Sequence, residues 1–212
     1  VTPPRESCCG ALVLHMGREA EALAFARKMV DVWHDEIERG VAAILITASG
    51  CGTTIKDYGH MLRDDPAYAR KAARVSELAR DISEYIAALE LKPAQSQGAA
   101  TVAYHSACSL QHGQKITRLP KELLSKNGFV VKDIPESHLC CGSAGTYNIL
   151  QPDIAAGLRD RKVANIASVK PDMIAAGNIG CMVQIASATD IPVFHTIELL
   201  DWATGGPRPS PH

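Results

Sequence analysis

Seven cysteines carry the chemistry this sequence offers: Cys8, Cys9 and Cys51 early in the chain, then Cys108, Cys140, Cys141 and Cys181. An odd count suits no closed disulfide framework, and the opening Val1-Thr-Pro-Pro-Arg-Glu6 lacks the apolar stretch of a signal peptide. The expected compartment is therefore reducing, where thiols bind metal or react more often than they pair. Four soft thiolates gathered together select either a structural zinc or an iron-sulphur cluster. Structural zinc sites draw their sulphurs in close pairs, and this sequence contains no C-x-x-C. Adjacent cysteines such as Cys140 and Cys141 point their side chains apart, which suits a cluster with several irons better than one small tetrahedral ion. The absence of C-x-x-C also weighs against a dithiol redox pair. Zinc and the dithiol stand as alternatives to the cluster.

The cysteines recur in order. Cys8-Cys9-Gly10, a helix, an apolar strand and Gly50-Cys51 are matched by Cys140-Cys141-Gly142, a helix, an apolar strand and Gly180-Cys181. There are 41 residues between Cys9 and Cys51 and 39 between Cys141 and Cys181, so the sequence reads as a duplication. The second copy adds Cys108 before its pair. The repeat offset puts the first copy's counterpart ahead of Val1, so a first unit incomplete at its N-terminus is expected, with seven cysteines as eight minus one.

The elements that must position these residues alternate. Glu19 to Arg39 carries Leu23, Ala26, Val30, Trp33 and Ile37 at helical spacing. Val41 to Thr47 reads as a strand covered on both faces. Asp64-Asp65-Pro66 predicts the start of one long helix, because Tyr68, Ala72, Val75, Ala79, Ile82, Ile86 and Leu89 form a single stripe. Further on, strands are predicted over 100–104, 129–133, 172–176 and 192–195, and helices over 114–126 and 152–168, with a short one after Cys181. The fold class is α/β: two tandem homologous units with short parallel sheets flanked by helices. The predicted boundaries are 1–91 for the first unit, 92–99 for a linker and 100–212 for the second. In open parallel sheets the carboxyl ends of strands converge on one edge, where Cys108, Cys140, Cys141 and Cys181 could meet.

Other features are bland. Lys plus Arg totals 22 against 23 for Asp plus Glu, so no basic face for nucleic acid is indicated. The apolar runs are far shorter than the ~20 residues a membrane-spanning helix needs. Gly142 and Gly145 lack the lysine and spacing of a phosphate loop and read better as sites of close backbone approach, with N–H groups aimed at sulphur. His105, His112, His138 and His195 lie near cysteines or strand ends, and each alone reads as a structural residue.

Tyr104-His-Ser-Ala-Cys-Ser-Leu-Gln-His-Gly-Gln114, His138-Leu-Cys-Cys-Gly-Ser-Ala-Gly-Thr-Tyr-Asn148, Ala176-Gly-Asn-Ile-Gly-Cys181 and the closing His195 to Gly206 resemble the cysteine-rich CCG-domain family. That family includes the B subunit of heterodisulfide reductase and the iron-sulphur subunit of glycolate oxidase, and the sequence looks most like the latter. The resemblance implies that Cys108, Cys140, Cys141 and Cys181 bind a cluster, expected as [4Fe-4S], beside Gly142 and Gly180. It implies the same role for Cys8, Cys9 and Cys51 in the first unit. The reductases end their motif in C-x-x-C, whereas Met182-Val-Gln184 follows Cys181 here and removes one sulphur. The function implied is electron relay from flavin-containing glycolate oxidase subunits, with no catalytic residue contributed. The related lactate-utilisation system is one alternative, and a zinc-stabilised docking subunit is another. The implied location is cytoplasmic, with peripheral association through the complex at the inner membrane's cytoplasmic face. Full-length glycolate oxidase subunits of the family also carry a ferredoxin-like domain with further [4Fe-4S] clusters, which these 212 residues do not include.

Overall fold

A computed structural model describes residues 1–89, 91 and 100–210. The chain divides into two compact units, Val1–Ile82 and Ser83–His212. The linker expected over 92–99 lies outside the described residues.

In the first unit a short helix α1 (Ala11–His15) precedes α2 (Glu19–Glu38). The apolar stripe of α2 buries Ala22, Ala26, Met29, Val30 and Trp33. Strand β1 (Ile44–Ile46) follows, then α3 (Ser49–Met61), α4 (Ala69–Leu78) and β2 (Ala79–Asp81). β1 and β2 pair in parallel, Ile44 opposite Ala79 and Ile46 opposite Asp81. Two expectations change here. The single helix predicted from Asp64 to Leu89 is broken, because β1 takes Ala79-Arg80-Asp81 as its parallel partner and strand pairing overrides the local helical pattern. The helix also begins later than predicted: Asp65 accepts the N–H groups of Ala67 through its side chain and of Tyr68 and Ala69 through its carbonyl, closing a turn ahead of α4. Nor is β1 covered on both faces, since Leu45 is 42% exposed between buried Ile44 and Ile46.

Helix α5 (Ile82–Ala87) starts at the last residue of the first unit, and its Ile86 packs on the core of the second unit, whose first strand is β3 (Thr101–His105). A π-helical turn (Ser109–Gly113), α6 (Leu119–Lys126), β4 (Val130–Lys132), α7 (Tyr147–Leu150) and α8 (Pro152–Ser168) follow. Then come β5 (Met173–Ala176), α9 (Ile179–Ala186), β6 (Val193–His195) and α10 (Thr196–Ala203). The helix predicted over 114–126 is shorter, because Lys115 takes a positive φ of 61° that no α-helix continues.

The four strands are all parallel in the order β4-β3-β5-β6. Period-two alternation sends Ala103, Ile174 and Ala176 to one face, packed with Ile166 and Ile185. Val102, Tyr104, Met173 and Ala175 go to the other, packed with Leu123, Leu124 and Leu199. This sheet is covered on both faces, so central β5 is buried at all four positions. No helix among the described residues is long and apolar enough to cross a membrane.

Candidate metal centre

The second unit gathers its four cysteines from three places. Cys108 follows β3 at the start of the π-helical turn. Cys181 is the third residue of α9, whose N-cap Asn178 follows shortly after β5 and accepts the Gly180 N–H at 3.0 Å. Cys140 and Cys141 lie on the loop entering α7 and α8. Gly142 has φ 92°, and a Cβ placed there would stand 2.3 Å from the Ala155 carbonyl oxygen of α8, so only glycine lets the loop press on that helix. A Cβ on Gly180 would meet Ser143 Oγ at 2.9 Å, which brings the start of α9 against the same loop.

The sulphurs form a continuous chain of thiol contacts. Cys108 donates to Cys140, and Cys141 lies in hydrogen-bonding contact with both Cys140 and Cys181. Backbone N–H groups point at sulphur as well, with Gly142 N 3.3 Å from Cys140 Sγ and the Ser109 and Ser143 amides serving Cys108 and Cys141. Acidity alternates along the chain. The Cys108 thiol is pushed up by its hydrogen bond to Cys140 and by burial. Cys140 is held well below the usual thiol range, first by Cys108 and then by Cys141. Cys141 is pushed up by Cys140 and Cys181, while Cys181 is drawn down to about 5, chiefly by Cys141. Two raised thiols thus alternate with two lowered ones along the chain.

His105, at the end of β3, is 2% exposed, and its ring lies with the Cys141 and Cys181 sulphurs in a group whose ligand atoms are all within 4.8 Å of one another. Neither ring nitrogen meets an oxygen or nitrogen partner, and the Cys181 sulphur is the polar group it faces. Sequence reasoning set this histidine aside. Its place directly at the end of a buried strand, three residues before a cysteine, was the available signal. His112 lies at the exposed rim, its Nε2 3.5 Å from the His138 carbonyl, and His195 caps α10 through its side chain. Neither joins the sulphur set.

The first unit repeats the arrangement with three sulphurs. Gly10 has φ 83°, its N–H lies 3.4 Å from Cys8 Sγ, and a Cβ there would stand 3.2 Å from the Ala22 carbonyl oxygen of α2. Cys51 is the third residue of α3, as Cys181 is of α9. Cys9 is in thiol contact with Cys51, which pushes Cys9 up and lowers Cys51 to about 7. Tyr58 fixes the pair from behind, its hydroxyl donating to the Cys9 carbonyl at 2.7 Å.

All seven cysteines are free thiols. Four soft donors linked in one chain of contacts, with amides aimed at three of their sulphurs, fit an iron-sulphur cluster. Cys141, Cys181 and His105 alone also make a set that a single zinc could take.

Parallel α/β units with vicinal cysteines near a third sulphur on a helix N-terminus define a cysteine-rich α/β architecture. The chain belongs to the CCG cysteine-rich domain family, whose model matches residues 1–56 and 102–186. It is 46% identical over 204 residues to the "Glycolate oxidase iron-sulfur subunit" of Escherichia coli strain K12, covering 96% of this chain and 50% of that protein. To the "Probable glycolate oxidase iron-sulfur subunit" of Bacillus subtilis strain 168 it is 29% identical over 188 residues, 87% of this chain and 42% of the relative. "Lactate utilization protein A" of Bacillus licheniformis is 26% identical over 207 residues, 94% of this chain and 84% of that protein. The chain spans about half the length of the glycolate oxidase subunits it matches.

Proposed function

We propose that this chain is part of an iron-sulphur electron-transfer subunit of a glycolate oxidase or dehydrogenase complex, passing on electrons taken by flavin-containing subunits from glycolate as it becomes glyoxylate. The observation that carries the reading is the chain of four free sulphurs from Cys108 to Cys181. A cluster bound there supplies reversible one-electron transfer. The protein's own residues do the holding: Cys108, Cys140, Cys141 and Cys181 in the second unit, and Cys8, Cys9 and Cys51 in the first. Gly142 and Gly180 let backbone and helix come close to the sulphurs, and burial of Cys141 and Cys181 keeps water from them. No acid or base is contributed to the oxidation of the hydroxy acid. Association with the complex places the chain in the cytoplasm, at the inner face of the membrane.

Identity to the Escherichia coli subunit favours glycolate over lactate, while the lactate utilization relatives are matched over far more of their own length. Electron transfer assayed with glycolate and with lactate as donors separates the two. The His105, Cys141 and Cys181 grouping favours the second reading, a zinc-stabilised docking part. Anaerobic reconstitution with iron and sulphide, followed by visible and electron paramagnetic resonance spectra, tests the first. A folded but colourless and iron-free protein refutes it.

A further inference from the structure

α8 carries a lysine where none is expected. Lys162 is 1% exposed, and its Nζ has one hydrogen bond to a described residue, 2.9 Å to the Glu136 carbonyl. Burying an ammonium is costly unless negative charge compensates it. Burial does press this amine down from its ordinary value, and what opposes that, in order, is Cys141, Cys140, Glu136 and Cys181. Three of those four are cysteines of the sulphur set.

The internal repeat supplies a comparison. Ala22, Met29 and Trp33 of α2 are buried at the same spacing as Ala155, Lys162 and Ile166 of α8. Ala22 and Ala155 are also the residues against which Gly10 and Gly142 press, so the helices are in register. A turn also precedes each cysteine pair, with Glu6 N bonded to the Pro3 carbonyl two residues before Cys8 and Leu139 N to that of Glu136 one residue before Cys140. In this register Met29 stands where Lys162 does. Its sulphur accepts the Ser7 N–H at 3.3 Å, which ties α2 to the segment just ahead of Cys8 without a charge. The architecture therefore holds with a neutral side chain at this place, so the charge of Lys162 is not required for packing.

We propose that Lys162 is the buried counter-charge of the second sulphur set, offsetting the negative charge that its thiolates and their bound group carry together, where the first set has the uncharged Met29 at the matching place. The proposal rests on the metal-binding reading above. It makes the two sites electrostatically unequal, with the second tighter for metal and easier to reduce. Lys162 is a positioning residue, since it acts through charge and ligates nothing.

The test uses the full chain with the first set disabled by Cys9→Ser and Cys51→Ser, and cobalt(II) as the probe, read by thiolate-to-metal absorption. Lys162→Met copies the first unit's own solution. Lys162→Gln keeps a donor for the Glu136 carbonyl and removes only the charge, so it also covers the case in which the methionine variant fails to fold. Both are expected to weaken cobalt binding by roughly 10–100-fold, the range seen when a group supporting metal ligands is lost. After iron and sulphide reconstitution, the midpoint potential of both moves to more negative values. Wild-type affinity and potential in the glutamine variant overturn the proposal. No cobalt absorption in the parent chain overturns the metal-binding reading itself, and that result is visible before any substitution at Lys162 is made.

Discussion

Replacing Gly142 with alanine puts the coupling between the cysteine loop and α8 to a direct test. Two costs follow from the structure. An L-residue at φ 92° pays about 1–2 kcal/mol for the left-handed region. A Cβ 2.3 Å from a helix carbonyl oxygen forces backbone to move, at about 1–3 kcal/mol. Together they come to roughly 2–5 kcal/mol, which in a chain of this length lowers the melting temperature of the second unit by about 4–20 °C. Gly10→Ala pays the conformational term but meets nothing nearer than Phe25 Cβ at 3.0 Å and the Ala22 carbonyl at 3.2 Å, so its loss is smaller and falls on the first unit. Gly180→Ala meets chiefly the Ser143 side chain, which can rotate, and is the mildest of the three. Differential scanning calorimetry of the metal-free chain and its variants measures this order, and iron uptake after reconstitution should follow it. A Gly142→Ala chain that melts and loads iron like the parent would refute the close approach.

Other perturbations have equally definite outcomes. With Cys140 and Cys181 drawn below the usual thiol range and Cys108 and Cys141 pushed up, loading the second set with metal at neutral pH is expected to release about two protons. Calorimetry in buffers of different ionisation enthalpy counts them, and four protons would contradict the alternation. Glu136 is drawn down to about 2 by Arg161 and then Asn165, so its carboxylate stabilises the native state above its unfolded pKa and stops doing so as pH falls toward 2. Glu136→Gln should therefore be less stable than the parent at neutral pH, with the gap closing as chemical denaturation is repeated from about pH 4.5 down to 2. Tyr58→Phe leaves the buried Cys9 carbonyl without its 2.7 Å donor and should cost the first unit about 1–2 kcal/mol by urea titration.

The duplication was plain in the sequence, because paired cysteines followed by glycine and a third cysteine at near-constant spacing need no knowledge of packing. The helix over Pro152–Ser168 was equally legible, since proline at its first position marks the start. Strand β2 was hidden: Ala79 fits a helical stripe, and only the neighbouring β1 makes it a strand. Leu45 looked buried because an apolar run does not reveal how many faces its sheet has covered. His105 and Lys162 were missed for a related reason. A histidine ending a strand and a lysine inside Arg161-Lys162-Val163 look ordinary in sequence, and only the fold buries them both and sets the histidine beside sulphur.

The most direct measurement is the iron, acid-labile sulphide and zinc content of the anaerobically reconstituted chain, compared with Cys141→Ser. The account predicts iron and sulphide together in the parent chain, with the second-unit share lost in the variant. About one zinc per chain, with no iron or sulphide in either protein, would contradict it.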